Sequence, residues 1–387
     1  MRFADLTTLR VGGTVDHPHE VRTRAELADF VRAHPLAEPS GAAPRQDPDV
    51  LFVAGGSNLL VSDDGFDGPV CLVRTRGIDW QEPDAAGTVR VTVEAGEDWD
   101  AFVAQTVERG LTGLEALSGI PGSVGATPVQ NVGAYGAEVA DCLTHVLALD
   151  RVTGQEHVLT AEKLGFGYRT SVLKRSAAEA GAVRWVVLAV TFDLQSDSAD
   201  AAPEPTAGNA AAGAGAAVRY RQLANALDVE LGTRVPVAQV RRAVLDLRAS
   251  KGMVLDAADH DTWSAGSFFT NPILPLVDDA VGRVTPEDVL PEGAPSYPVL
   301  DHRTGEADPA VVKTSAAWLI EHAGFSRGYS VGDALASLST KHTLALTNRG
   351  EARASDLVEL ARHIRAGVEE AFGIVLVPEP NLVGIDL

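Results

Sequence analysis

The chain predicts an α+β fold, and three observations carry that reading. Apolar residues recur at both helical and strand periods, but the two kinds of segment do not alternate in a regular βαβ rhythm. Hydrophobic residues make up 45% of the 387, with a mean hydropathy of +0.04, which suffices for a sizeable core over two or three domains. No window approaches the roughly 18 apolar residues of a membrane span, and the start, Met-Arg-Phe-Ala-Asp-Leu-Thr-Thr, lacks the apolar core of a signal peptide. A cytoplasmic protein is expected.

Thr23-Arg-Ala-Glu26 reads as a capping box opening a helix with Leu27, Phe30 and Val31 on one face. Residues 34–49 form a Pro/Ala-rich insertion. Leu51–Ala54, Val70–Arg74 and Val91–Ala95 read as strands. Asp98–Gly110 reads as a helix with Trp99, Phe102 and Val103 inward and Gly110 at its end. His145–Arg151 and Trp185–Leu194 are strand-like, and Val186–Val190 is apolar enough to be fully buried. Residues 195–217 are dominated by Ala, Gly and Pro, which cannot build a core, so a mobile surface insertion is expected. Pro236 opens a helix with Val237, Val240, Val244 and Leu247 on one face. Thr314–Gly324 is expected to be helical around Trp318 and Leu319. Ser355 is read as the cap of the last long helix, whose face is Leu357, Leu360, Ala361, Ile364, Val368 and Phe372. Gly373 stops it, and a short strand, Ile374–Val377, follows. A domain boundary is placed near residues 235–245.

The net charge of −21 argues against a nucleic-acid or anionic-membrane surface, although a local Arg/Lys pocket can still hold phosphates. Two cysteines in apolar surroundings, Cys71 and Cys142, suggest neither a disulfide framework nor a thiolate site. There is no HExxH and no paired CxxC, so no metal is expected.

Five segments could carry chemistry. Ser118–Glu138 holds five glycines and two prolines with almost no charge. Glycine permits positive φ and close approach, and proline stiffens the chain. The stretch reads as a rigid loop that presents backbone N–H groups to a phosphorylated cofactor, or as a buried connection between sheet layers. Ala54–Gly68 puts Gly55, Gly56, Ser57 and Asn58 at a turn after a strand, where they could cradle a pyrophosphate or simply turn the chain. It is neither GxGxxG nor GxxxxGK[ST]. In Gly167-Tyr-Arg-Thr-Ser-Val-Leu-Lys174, Arg169 could be partly buried and hold an anion bidentately, while Tyr168 and Lys174 could equally be surface residues. Ser267, between Gly266 and two phenylalanines, is a hydroxyl in apolar surroundings outside any GxSxG elbow. Glu379 sits between two prolines that fix its backbone direction.

Taken in order, these segments resemble the UDP-N-acetylenolpyruvoylglucosamine reductase (MurB) family of peptidoglycan synthesis. Leu9-Arg-Val-Gly-Gly13, Gly-Gly-Ser-Asn, Ser-Gly-Ile-Pro-Gly-Ser-Val-Gly with Gln-Asn-Val-Gly-Ala-Tyr-Gly, Tyr-Arg-x-Ser, Gly-Ser-Phe-Phe-x-Asn-Pro and the terminal Pro-Glu all match, from about residue 5 to 384. The resemblance implies a two-part FAD-binding domain of the vanillyl-alcohol-oxidase/PCMH type at 1–240, its lobes split near 75, then an α+β substrate domain at 241–387. It implies that NADPH reduces FAD, that a hydride passes to C3 of the enolpyruvyl group, and that C2 is then protonated to give UDP-N-acetylmuramate. Arg169 and Glu379 match the pair that polarises the enolpyruvyl carboxylate, Glu379 as a neutral acid or sharing a proton. Ser267 matches the proton donor to C2.

The same resemblance assigns Gly55, Gly56, Ser57, Asn58, Gly119, Ile120, Pro121, Gly122, Ser123, Gly125, Ala126 and Arg248 to the cofactor. It assigns Tyr220, in the family type with a substrate-covering Tyr loop, together with Lys251 and Asn271, to the sugar nucleotide. The spacing of Arg248 and Lys251 puts both cations on one helix face. Thr270 stands where a Lys is often found, which removes a cation near the substrate. An FAD oxidase of the same fold is the competing reading, but neither glycine loop carries the His or Cys that often tethers flavin in such enzymes. A non-catalytic binding protein would have lost one of Arg169, Ser267 or Glu379, and all three are present.

Overall fold

In a computed structural model of the chain, the described residues are 1–37, 48–196, 215–278, 282–300 and 304–387. The insertions expected at 34–49 and 195–217 lie largely outside them. The chain divides into two units, each built from discontinuous segments. One comprises His17–Gly55 and Gly68–Ser250; the other comprises Met1–Asp16, Gly56–Asp67 and Lys251–Leu387.

The first unit, centred on residues 68–250, is built among the described residues on two main sheets, with two short two-stranded pairs beside them. A parallel sheet orders His19–Val21, Val70–Val73 and Leu51–Val53, with Val70–Val73 in the middle. Beside it runs the helix Arg24–Ala33, opened by the reciprocal Thr23/Glu26 capping box. An antiparallel sheet orders Glu156–Thr160, Leu143–Asp150, Trp185–Ser196, Thr88–Glu94 and Ile78–Trp80. Its central strand is buried without a break from Val186 to Phe192, so both faces are covered. Against that strand packs the helix Trp99–Glu108, with Asp98 capping its start. Trp99 and Phe102 lie 6.2 and 5.5 Å from Phe192, ring centre to ring centre. The helix Val237–Ser250 runs straight through the boundary drawn at 240/241. Val237, Val240 and Val244 share one apolar cluster with Ala216, Val218, Leu223 and Val235, so a cut there would split a packed core. The two units divide at Ser250/Lys251.

The second unit, containing both chain ends, is built around the helix Ala354–Phe372. Leu357, Leu360, Ala361, Ile364 and Val368 are buried against the hairpin Ala336–Leu338/Leu346–Asn348, among others. Ser355 does not cap this helix. It is the second helical residue, and Arg353 holds the N-cap position. The first N–H groups are capped from far away in sequence: Asp63 accepts from Ala354 at 2.9 Å and from Ser355 at 3.0 Å. Gly373 ends the helix at φ +68, as expected. Ile374–Val377 is not a strand. Its alternation reflects burial of Ile374 and Leu376, and the first ladder contact comes one residue later, at Pro378 with Phe269. The chain then pairs in parallel as Asn381–Val383 with Leu59–Val61. Gly13 is required beside that strand, because an added Cβ would lie 2.1 Å from the Asp63 carbonyl.

Candidate functional site

In the first unit the two glycine loops meet. A Cβ on Gly55 would fall 2.5 Å from the Gly122 Cα, so only this residue pair lets the two backbones approach so closely. Gly119 and Gly122 take φ of +72 and +130, and Gly125 packs flat on Ala95. Backbone accounting separates the loop's N–H groups. Gly119 donates to Asp100 Oδ1 at 2.6 Å, Val124 to Glu97, Gly125 to Ala95 and Ala126 to Ser123. The N–H groups of Gly55, Ile120, Gly122 and Ser123 donate to nothing among the described residues. The Ser123 hydroxyl is buried there and likewise has no hydrogen-bond partner. A glycine-lined cradle with unspent donors fits a phosphorylated cofactor.

Downstream, Gly133–Ala134 and Ala137–Glu138 form a hairpin. Its turn residues Tyr135 and Gly136 both have positive φ, +51 and +81, the signature of a primed two-residue turn. Arg169 lies in a second tight turn, closed by Gly167 N–H to Thr170 C=O at 3.1 Å and the reverse bond at 3.2 Å. Its φ is +52, an unfavourable value for a residue with a side chain. The guanidinium is half-buried and donates to the Gly133 carbonyl at 3.2 Å.

Arg248 belongs to a polar cluster that sequence reasoning only partly saw. Burial pushes its guanidinium below the usual value, against the opposing influence of Tyr135 and Asp100. Burial raises Asp100, but the Arg241 hydrogen bonds, the Gly119 N–H and the charges of Arg241 and Arg248 outweigh it and hold the carboxyl low. Arg241 grips Asp100 bidentately at 2.6 and 2.9 Å. Tyr220 is exposed, sits at the N-cap of Arg221–Leu227 and meets Tyr135 edge-to-face at 5.9 Å. Asp100 and Arg241 carried no motif signal; their pairing across 141 residues is a product of folding.

In the second unit, Ser267 and Glu379 are brought onto adjoining backbone. Phe269 bridges Pro378, and the Glu379 N–H donates to the Phe268 carbonyl at 2.8 Å. The Asn58 amide donates to the Glu379 carbonyl at 3.3 Å, and Asn381 N–H donates back to Asn58 at 3.0 Å. Gly56, in turn, must be glycine: φ is +61 and a Cβ would lie 1.9 Å from the Leu6 carbonyl. Ser267 is half-buried beside the fully buried Phe268 and Phe269. Asn271 uses its side-chain oxygen to accept from Ala316 N–H at 3.0 Å, in the first turn of the helix Ala316–His322. Thr270, in place of a cation, turns its hydroxyl to the Val377 carbonyl at 3.3 Å. Lys251 does not share a helix face with Arg248. The helix stops at Ser250, and Lys251 opens the turn that Gly252 completes at φ +66.

Both thiols are free. Burial pushes Cys71 up to about 12, and burial with nearby carboxylates raises Cys142 further, so neither is a thiolate near neutral pH. Among the described residues no group of His, Cys, Asp and Glu is arranged to hold a metal, and no helix is long and apolar enough to cross a membrane.

The FAD binding domain family matches residues 36–162, and the UDP-N-acetylenolpyruvoylglucosamine reductase C-terminal domain family matches residues 258–383. A UDP-N-acetylenolpyruvoylglucosamine reductase of Nocardia farcinica is 51% identical, covering 100% of this chain and 90% of that protein. One of Saccharopolyspora erythraea is 50% identical, covering 98% and 94%. The crystal structure of the Thermus caldophilus reductase superposes with a TM-score of 0.56 at 27% identity, covering 99% of this chain and 97% of that one. The α+β chain, with its glycine cradle and its FAD binding domain, belongs to the UDP-N-acetylenolpyruvoylglucosamine reductase family of FAD-dependent oxidoreductases.

Proposed function

We propose that the protein reduces the enolpyruvyl group of UDP-N-acetylglucosamine enolpyruvate to give UDP-N-acetylmuramate, with NADPH as reductant, in the cytoplasm. Bound FAD supplies the two-electron hydride chemistry between NADPH and the substrate. Gly55, Ile120, Gly122 and the Ser123 hydroxyl offer the unspent donors for its phosphates, with Gly56, Ser57 and Asn58 continuing the first loop. Arg248 supplies a cation whose partial burial strengthens any pairing with a phosphate oxygen. Tyr220, Lys251 and the Asn271 NH2 take the sugar nucleotide. In this reading the portion ending at Ser250 serves chiefly the cofactor, and the portion from Lys251 serves chiefly the substrate.

Arg169 pairs with the enolpyruvyl carboxylate and stabilises the charge that develops on it as C3 is reduced. Glu379, protonated, donates a hydrogen bond to the same developing charge; ionised, it would repel it. Ser267 then gives its proton to C2. A hydroxyl is a weak acid, but the enolate-like carbon is a strong base, so the transfer runs downhill once the hydroxyl is positioned.

The observation that supports this reading best is the pairing of the Ser267 and Glu379 segments through Phe268, Phe269 and Pro378, which puts the two residues on adjoining backbone. The test is Ser267→Ala, followed in two half-reactions. NADPH should bleach the flavin at the wild-type rate, while reoxidation by the enolpyruvyl substrate should slow by at least about a thousandfold, as for loss of a proton donor. Equal loss of both half-reactions would contradict the assignment.

A further inference from the structure

The Val129-Gln-Asn-Val-Gly133 stretch interlocks with the turn that carries Arg169. Three alternate residues on one segment each hold one residue of the other. The Ser171 hydroxyl donates to the Val129 carbonyl at 2.6 Å. The Asn131 amide donates to the Gly167 carbonyl at 3.4 Å. The Arg169 guanidinium donates to the Gly133 carbonyl at 3.2 Å. Asn131 is the centre of this ladder. It is fully buried, adopts φ +47, donates to Glu138 Oε2 at 2.6 Å and accepts from Ala140 N–H at 3.2 Å. One side chain therefore ties together the Arg169 turn, the far strand of the hairpin and the helical turn beyond it. Gly133 completes the fit: a Cβ there would come within 2.9 Å of Glu138 Cγ and 3.5 Å of Arg169 Nη1.

A strained left-handed residue persists only where its surroundings over-determine it. Arg169 has that strain, and the closing bonds of its own four-residue turn are too local to fix where the turn points. The Asn131 bond to Gly167 anchors the turn at its first residue, two positions before Arg169. We propose that Asn131 is the positioning residue for Arg169, and that Gln130–Gly133 serves to aim the guanidinium rather than to bind cofactor. The proposal rests on the reading of Arg169 as the partner of the substrate carboxylate.

The test compares Asn131→Ala, Asn131→Asp and Arg169→Ala in the full-length flavoprotein. Asn131→Ala should bind FAD and be reduced by NADPH within about threefold of wild type. Its reoxidation by saturating enolpyruvyl substrate should slow about ten- to hundredfold, the effect of an ångström-scale misplacement. In the resting protein, amide hydrogen exchange at Thr170 should accelerate as the turn loses its anchor. Asn131→Asp sets a carboxylate against Glu138, and two such groups in contact must share a proton. Reoxidation in that variant should recover as pH is lowered, a limb absent from wild type, and this readout stands even if the alanine variant does not fold. If Arg169→Ala reoxidises at the wild-type rate, the reading of Arg169 itself falls. If Arg169→Ala is slow while Asn131→Ala is normal, or loses both half-reactions equally, or leaves Thr170 exchange unchanged, the positioning role alone is overturned.

Discussion

Asp63 shows how one side chain links distant parts of the chain. Burial raises its carboxyl, but hydrogen bonds from Ser355 and Ala354 and the Arg353 charge outweigh that and hold it below the usual range. A depressed carboxyl contributes stability above its unfolded value, roughly 3.9, and that contribution disappears as pH falls through the folded value. Asp63→Asn keeps one accepting oxygen but loses the charge and the second acceptor, and should cost about 0.3–1 kcal/mol at pH 7 in urea denaturation. The difference from wild type should shrink as pH is lowered below the unfolded value of roughly 3.9; a difference that stays constant across that range would refute the capping role. Arg151 is a stricter case. Its side chain is fully buried, pairs with Asp49 at 2.8 Å and also serves the carbonyls of His34 and Val183. Arg151→Met leaves a carboxylate and two carbonyls without their donor, and should destabilise by about 3–5 kcal/mol in the same assay.

At the scale of elements, the glycine cradle makes a separable prediction. Gly55 has no positive φ, so Gly55→Ala probes contact alone. The added methyl meets Gly122 backbone, which cannot rotate away, so the loops must part. Flavin should dissociate more readily on dilution, with at least about tenfold weaker binding and a stability loss of about 1–3 kcal/mol. Unchanged flavin affinity would remove these loops from the cofactor site. Helices were legible wherever local chemistry set their ends, as at Thr23, Asp98 and Gly373. The last helix was misread at its start because its cap, Asp63, lies 291 residues away. The strand expected at Ile374–Val377 failed for a related reason. Alternating burial imitates a strand, but a strand also needs a ladder, and among the described residues only the Val377 carbonyl is bonded there, by the Thr270 N–H at 3.0 Å and the Thr270 hydroxyl at 3.3 Å.

At the scale of the molecule, FAD should stabilise the fold by mass action if it binds only the native state. Stripped protein titrated with FAD should melt at rising temperature, the gain reaching about 2.7 kcal/mol at a hundredfold excess over Kd. A melting temperature independent of FAD would argue against a native cofactor site.

The sequence by itself determined the family, the α+β class and most helix limits, because these follow from local periodicity, capping residues and short motifs of fixed composition. The tertiary structure alone decided which segments share a unit, since residues 1–16 and 56–67 join 251–387 through long-range pairing that no local pattern encodes. It also decided which loop N–H groups remain unspent among the described residues, that Lys251 leaves the Arg248 helix, and that Asn131 bonds the Gly167 carbonyl in the Arg169 turn. Each of these depends on what lies across a gap in space, and the distance along the chain carries no record of that gap.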